Sequence, residues 1–150
     1  MKSETIVFIV AGILIAYLFF SGGDFSLMPK TIYDNIAQAI MEFEGYFIGS
    51  ISYKNNNPGN LKYAGQLNAT GQDQFGHAIF PTFQDGYNAL INQIRRMLNG
   101  TSSLYPSSET LTQAMNTYAA ANGNQYAAFI AQRIGVDPNV TLEQLNAMAT

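Results

Sequence analysis

The sequence predicts an α+β fold, mostly α, with one small β-hairpin, preceded by a single N-terminal transmembrane helix. Three observations carry this expectation. Residues 5–20 are apolar without a charge. Several later stretches repeat apolar residues every three or four positions between helix caps, the pattern of amphipathic helices. Between two of them lie short strand-like runs joined by a loop containing Gly and Asn. The expected organisation is an anchor over residues 5–23, a linker over 24–30 and one domain over 31–150, long enough for a core of its own.

As a helix, residues 5–20 span about 24 Å, and continuing through Ser21-Gly22-Gly23 brings the span near the ~30 Å hydrocarbon thickness of a bilayer. Ser21 and Gly23 also fit a small-residue cleavage site, so a removable signal peptide is the alternative. The run is rich in Ile, Phe and Leu and longer than a usual signal core, which favours a retained anchor. Lys2 and Lys30 nearly cancel as orientation signals. With so short an N-terminus, the folded domain is expected on the outer face.

The first helix is expected to start near Thr31, which with Asp34 has capping-box spacing. Ile32, Ile36, Ile40 and Phe43 make its apolar face, and Glu44-Gly45 ends it. An irregular segment follows over 45–60, with Asn55-Asn56-Asn57 suited to turns. Two strands are expected around Asn60–Tyr63 and Phe75–Phe80, and Pro81 stops the pairing. Asp85 is expected to cap a helix from Gly86 to Leu98 whose Tyr87, Leu90, Ile91, Ile94 and Leu98 face inward. A third helix should run from Ser107 or Ser108 to Tyr118. A fourth, capped by Asn124, should reach Ile134 and close at Gly135. Thr141 and Gln144 form a second capping-box pattern before a last helix ending at Met148.

Composition narrows the chemistry. Charged residues are 11% of the chain, well under the usual quarter. Asn, Gln and nine tyrosines take their place, and such side chains suit a neutral polyhydroxylated ligand because they donate, accept and stack without counter-charge. A net charge of −3 and no basic run argue against nucleic acid; Arg95-Arg96 reads as a solvated helix face. With no cysteine and one histidine, His77, neither a thiolate site nor a multi-histidine zinc site is expected. His77 itself reads as a surface or turn residue.

Glu44 stands out among the carboxylates. It sits on the last helical turn, at the negative end of the helix dipole, with Phe43, Tyr46 and Phe47 around it. Both features disfavour the ionised form and are expected to raise its pKa. A carboxylic acid that keeps its proton near neutral pH is what glycosidic bond cleavage needs as general acid. Glu42 lies on a different helix face and reads as a solvated charge.

The stretch Ala39–Gln66, AIMEFEGYFIGSISYKNNNPGNLKYAGQ, also carries a family resemblance. A helix ending in Glu-Gly, followed by Asn56-Asn57-Pro58-Gly59-Asn60-Leu61, resembles lysozyme-like lytic proteins of phage particles and prophages, relatives of goose-type lysozymes and soluble lytic transglycosylases. Ile79–Phe83, Gly86–Leu90, Tyr118 and Asn124–Ile130 are similar to that group's later segments, so the resemblance spans roughly residues 31–136. It implies a lysozyme-like domain that cleaves peptidoglycan glycan strands at the MurNAc-GlcNAc β-1,4 bond, with Glu44 as general acid/base. It further implies Asn57, Asn60 and Tyr118 as substrate-binding residues, with turn stabilisation the alternative for the two asparagines and a core position the alternative for Tyr118, and no cofactor or metal. With the apolar run, it implies a virion internal membrane or bacterial inner membrane as location, lipid through residues 5–23, and possible virion-protein partners.

Two departures bear on the reaction. The endolysin spacing of Glu, eight residues, Asp or Cys, five residues, Thr falls here on Tyr53 and Gly59, and the Gly-Leu-Met-Gln run of transglycosylases is replaced by Asn60-Leu61-Lys62-Tyr63. A second carboxylate, where glycosidases use one, lies roughly 5–9.5 Å from the first; Asp73 and Asp85 are the candidates, and each also reads as a turn former or cap. The resemblance to transglycosylases implies a route that needs only Glu44, the sugar's own acetamido and 6-hydroxyl groups completing the reaction. A lytic transglycosylase is the leading expectation. A hydrolytic muramidase using the same Glu, or a non-catalytic glycan-binding structural virion protein, are the alternatives.

Overall fold

A computed structural model describes residues 30–119 and 121–149. The run over 5–23 and the linker to residue 29 lie outside the described residues, and among the described residues no helix is long and apolar enough to cross a membrane. The chain order is α1 (Ile32–Phe43), α2 (Ile51–Lys54), β1 (Gly71–Gln72), β2 (Ala78–Ile79), α3 (Phe83–Leu98), α4 (Leu111–Tyr118), α5 (Gly123–Ile134) and α6 (Leu142–Ala147). Among the described residues the architecture is thus mostly helical with one two-stranded antiparallel sheet.

α1 begins as expected. Thr31 accepts from the Asp34 N–H while the Asp34 carboxylate accepts from the Thr31 N–H, so two otherwise unpaired donors are satisfied. The Tyr87 hydroxyl donates to the other Asp34 oxygen at 3.0 Å, tying α3 to the start of α1. Ile32, Ile36 and Ile40 then meet Leu90, Ile94 and Leu98 of α3 in one buried cluster. α5 packs on α1 and α4, and α6 on α3. Tyr126, Ile130, Leu142 and Leu145 complete the same core, all fully buried. At about 25 cal/mol per Å² of apolar surface, this shared burial is the main force holding the helices together.

Several boundaries differ from expectation, each for a local reason. The segment over 45–60 contains α2, four residues long and capped by Ser50, too short to show a period in sequence. The strand expected over Asn60–Tyr63 is reduced to a single bridge, Lys62 to His77. Asn60 has φ +49°, a left-handed conformation that no strand tolerates. The second expected strand holds β2, which pairs with β1 in the register Gly71↔Ile79 and Gln72↔Ala78.

The cap of α3 is Thr82, not Asp85. Asp85 sits three residues later and accepts from the Thr82 hydroxyl. α4 starts at Leu111 because Thr110 and Gln113 form its capping box. α5 starts at Gly123, and Asn124 does not cap it; its side chain instead accepts from Asn116 of α4 at 3.0 Å. The Thr141–Gln144 box opens α6 as expected, and Gly135 closes α5.

Candidate functional site

Glu44 is the C-cap of α1, and Gly45 follows at φ +67°, a value glycine reaches without a Cβ clash. The Tyr46 N–H then returns to the Met41 carbonyl at 3.0 Å, so the chain turns sharply away and leaves the Glu44 side chain partly exposed. Both of its carboxylate oxygens are held. The Tyr126 hydroxyl donates to Oε1 at 2.9 Å. The Asn60 amide Nδ2 donates to Oε2 at 3.3 Å. Glu42, by contrast, faces solvent and pairs with Arg133 at 2.6 Å.

Three elements far apart in sequence build this arrangement. Tyr126 is fully buried on α5 and stacks on Phe43 of α1, with ring centroids 3.9 Å apart. That contact fixes the phenol beside the end of α1. Tyr118 of α4 meets Tyr126 edge-on at 5.7 Å and donates its hydroxyl to the Gly59 carbonyl at 2.8 Å. It therefore holds the loop residue next to Asn60. Burial, then the neighbouring Tyr118 and the Glu44 charge, push the Tyr126 phenol well above its ordinary range. Burial and then the Glu44 charge do the same to Tyr118. Both phenols stay protonated and act as donors at any physiological pH.

The loop over 55–60 is built by its asparagines. Asn57 is fully buried; its Nδ2 donates to the Leu61 and Ala78 carbonyls, and its Oδ1 accepts from the Leu61 N–H, all at 2.9 Å. Asn56, at φ +50°, donates to the Phe80 carbonyl at 3.0 Å and to Pro81 at 3.2 Å. Such side-chain to backbone bonds take the place of a ladder and hold an irregular segment rigid. Every polar atom of the Asn57 amide is thus bonded inside the protein. Tyr118 is likewise occupied, its hydroxyl on Gly59.

Neither candidate second carboxylate is free. Asp73 accepts from the His77 and Phe75 N–H groups, from Asn55 Nδ2 and from the His77 ring. Partial desolvation opposes ionisation there, but these donors prevail and hold its carboxyl at about 2. The Thr82 hydroxyl and the Asn68 amide hold Asp85 below its ordinary value in the same way. His77 lies between Asp73 and Lys62, a bridge residue of the hairpin with its side chain largely buried. Among the described residues no cluster of His, Asp and Glu could hold a metal ion.

Tyr126 is the site residue that sequence reasoning passed over. It follows Asn124-Gln125 and precedes the small and apolar run Ala127–Ala131 of α5, and a fully buried tyrosine there needs a partner for its hydroxyl. An open groove of about 320 Å³, lined by Ile51, Lys54, Asn55, Asp73, Gln74 and Phe75, borders the same asparagine loop.

The chain matches no protein-family model, no curated protein and no solved structure. What it does at this site is therefore read from these residues and their geometry.

Proposed function

We propose that the chain is a membrane-anchored, lysozyme-like enzyme that cleaves peptidoglycan glycan strands as a lytic transglycosylase, with Glu44 as general acid/base. One observation carries the reading. A partly exposed carboxylate at a helix end is gripped through both oxygens by side chains from two other segments, while Asp73 and Asp85 are committed to local donors. A rigidly aimed acid without a free carboxylate partner suits the single-acid route. Glu44 protonates the leaving glycosidic oxygen, and the muramic acid's 6-hydroxyl, already tethered near the anomeric carbon, attacks in place of water. Intramolecular attack has a large effective-molarity advantage. Glu44, now ionised, takes the 6-hydroxyl proton, so the acid is regenerated within one turnover.

The experiment is digestion of purified sacculi by the full-length chain, with mass spectrometry of the released muropeptides. The expected products end in 1,6-anhydro-muramic acid, and Glu44→Gln lowers their yield by at least about 100-fold, since it removes the transferable proton while keeping the size of the side chain and one acceptor oxygen. Free reducing ends together with a large loss on Asp73→Asn would identify a paired-carboxylate muramidase instead. Glycan binding without any product would identify a structural wall-binding protein.

The apolar run over 5–23 supports an anchor in a virion internal membrane or a bacterial inner membrane, with the domain on the outer side. An intact mass beginning near Met1 fits that placement; one beginning at Asp24 would show a cleaved signal.

A further inference from the structure

We infer that Asn60 is a positioning residue that acts through Glu44 rather than a sugar-binding residue. This rests on the proposed role of Glu44 as the acid and deepens it.

Of the two ends of the asparagine amide, the oxygen is closed to a ligand and the nitrogen is turned to Glu44. Nδ2 donates to Glu44 Oε2 at 3.3 Å. Oδ1 is closed to solvent and has no hydrogen-bond partner among the described residues. A sugar acetamido group has no route to that oxygen without moving the loop. Leaving an acceptor unpaired inside a protein is costly, so a residue kept in this geometry is held there by its surroundings.

Those surroundings are visible. Asn60 lies at φ +49°, a conformation that Asn, Asp and Gly adopt more readily than other residues. On one side the Gly59 carbonyl is pinned by the Tyr118 hydroxyl at 2.8 Å. On the other, Leu61 is clamped through both its N–H and its carbonyl by buried Asn57. The Asn60 N–H itself closes onto the Asn57 carbonyl at 2.9 Å. The backbone is thus fixed on both sides of a single left-handed residue, and that residue's side chain reaches across to the end of α1. Without Asn60, Oε2 has no donor among the described residues, and the carboxylate is free to swing about its remaining bond to Tyr126.

The left-handed backbone offers a clean separation of amide from fold. Asn60→Gly tolerates φ +49° and removes the amide. Asn60→Asp keeps the shape and much of the backbone tolerance but replaces the donor with an acceptor facing Glu44. Full-length protein, its two variants and Glu44→Gln are compared on soluble uncross-linked glycan strands, with kcat, KM and Tm measured for each. In Asn60→Gly kcat falls roughly 10-fold, the scale of one lost hydrogen bond to a charged group, while KM and Tm stay near parent values; in Asn60→Asp, whose carboxylate faces that of Glu44, kcat falls at least as far with KM near the parent value. A rise in KM with kcat unchanged would mean direct sugar contact and overturn the inference. So would parent-like kinetics, or a fall in Tm with kcat per folded molecule intact. If Glu44→Gln itself retains parent activity, the failure lies instead with Glu44 as the acid.

Discussion

Gly86→Ala separates local propensity from tertiary fit, because the two predict opposite signs. Gly86 lies in the first turns of α3, where an alanine would by itself stabilise the helix by about 1 kcal/mol. A Cβ built at this position, however, falls 1.8 Å from the Asn56 carbonyl oxygen and 3.1 Å from the Pro58 ring. Real Cβ contacts essentially never come under 3.0 Å, so helix and loop must part by more than about 1 Å. The loop has little room to retreat, since Asn56 is bonded to Phe80 and Pro81 and Asn57 is buried on Leu61 and Ala78. Forcing backbone apart in a close-packed region costs about 1–3 kcal/mol, and each strained or broken buried hydrogen bond adds about 1 more. The net expectation is a loss of about 3 kcal/mol, equivalent to roughly 10 °C in Tm for a domain of this size. Thermal unfolding followed by far-UV circular dichroism measures it. A variant as stable as the parent, or more so, would show that helix propensity wins and that α3 does not set the position of the asparagine loop.

Two further outcomes follow from the same geometry. Tyr126→Phe removes the hydroxyl on Glu44 Oε1 while keeping the stack on Phe43, so glycan cleavage should fall roughly 10- to 100-fold; cleavage at the parent rate would show that the phenol does not orient the acid. Asp73 has a folded pKa of about 2 against an ordinary 3.8, so the stability it contributes is fully present above pH 3.8 and is lost as pH falls towards 2. The stability deficit of Asp73→Asn should therefore be widest above pH 4 and narrow on acidification, with most activity retained at neutral pH. Denaturant titrations across that range test it, and a deficit independent of pH would contradict the assignment.

Much of the fold was legible in the sequence because it is written in local chemistry. The Thr31–Asp34 and Thr141–Gln144 boxes, the Ile32-Ile36-Ile40 face with its step of four, and the stops at Gly45 and Gly135 each depend on residues close together in sequence. So does the placement of Glu44 at a helix end. The asparagine loop was legible as a loop, but not the division of labour within it. Asn56, Asn57 and Asn60 offer the same side chain, and only the approach of Phe80, Leu61, Ala78 and Glu44 assigns each amide its partner. Tyr126 lies 82 residues from Glu44, and no periodicity links them; their contact arises because α5 packs against α1. The sequence by itself determined the longer helices and the placement of the Glu44 carboxylate at the end of the first. Tertiary packing decided which groups hold that acid, because a hydrogen bond between distant segments exists only once buried surface has brought them together.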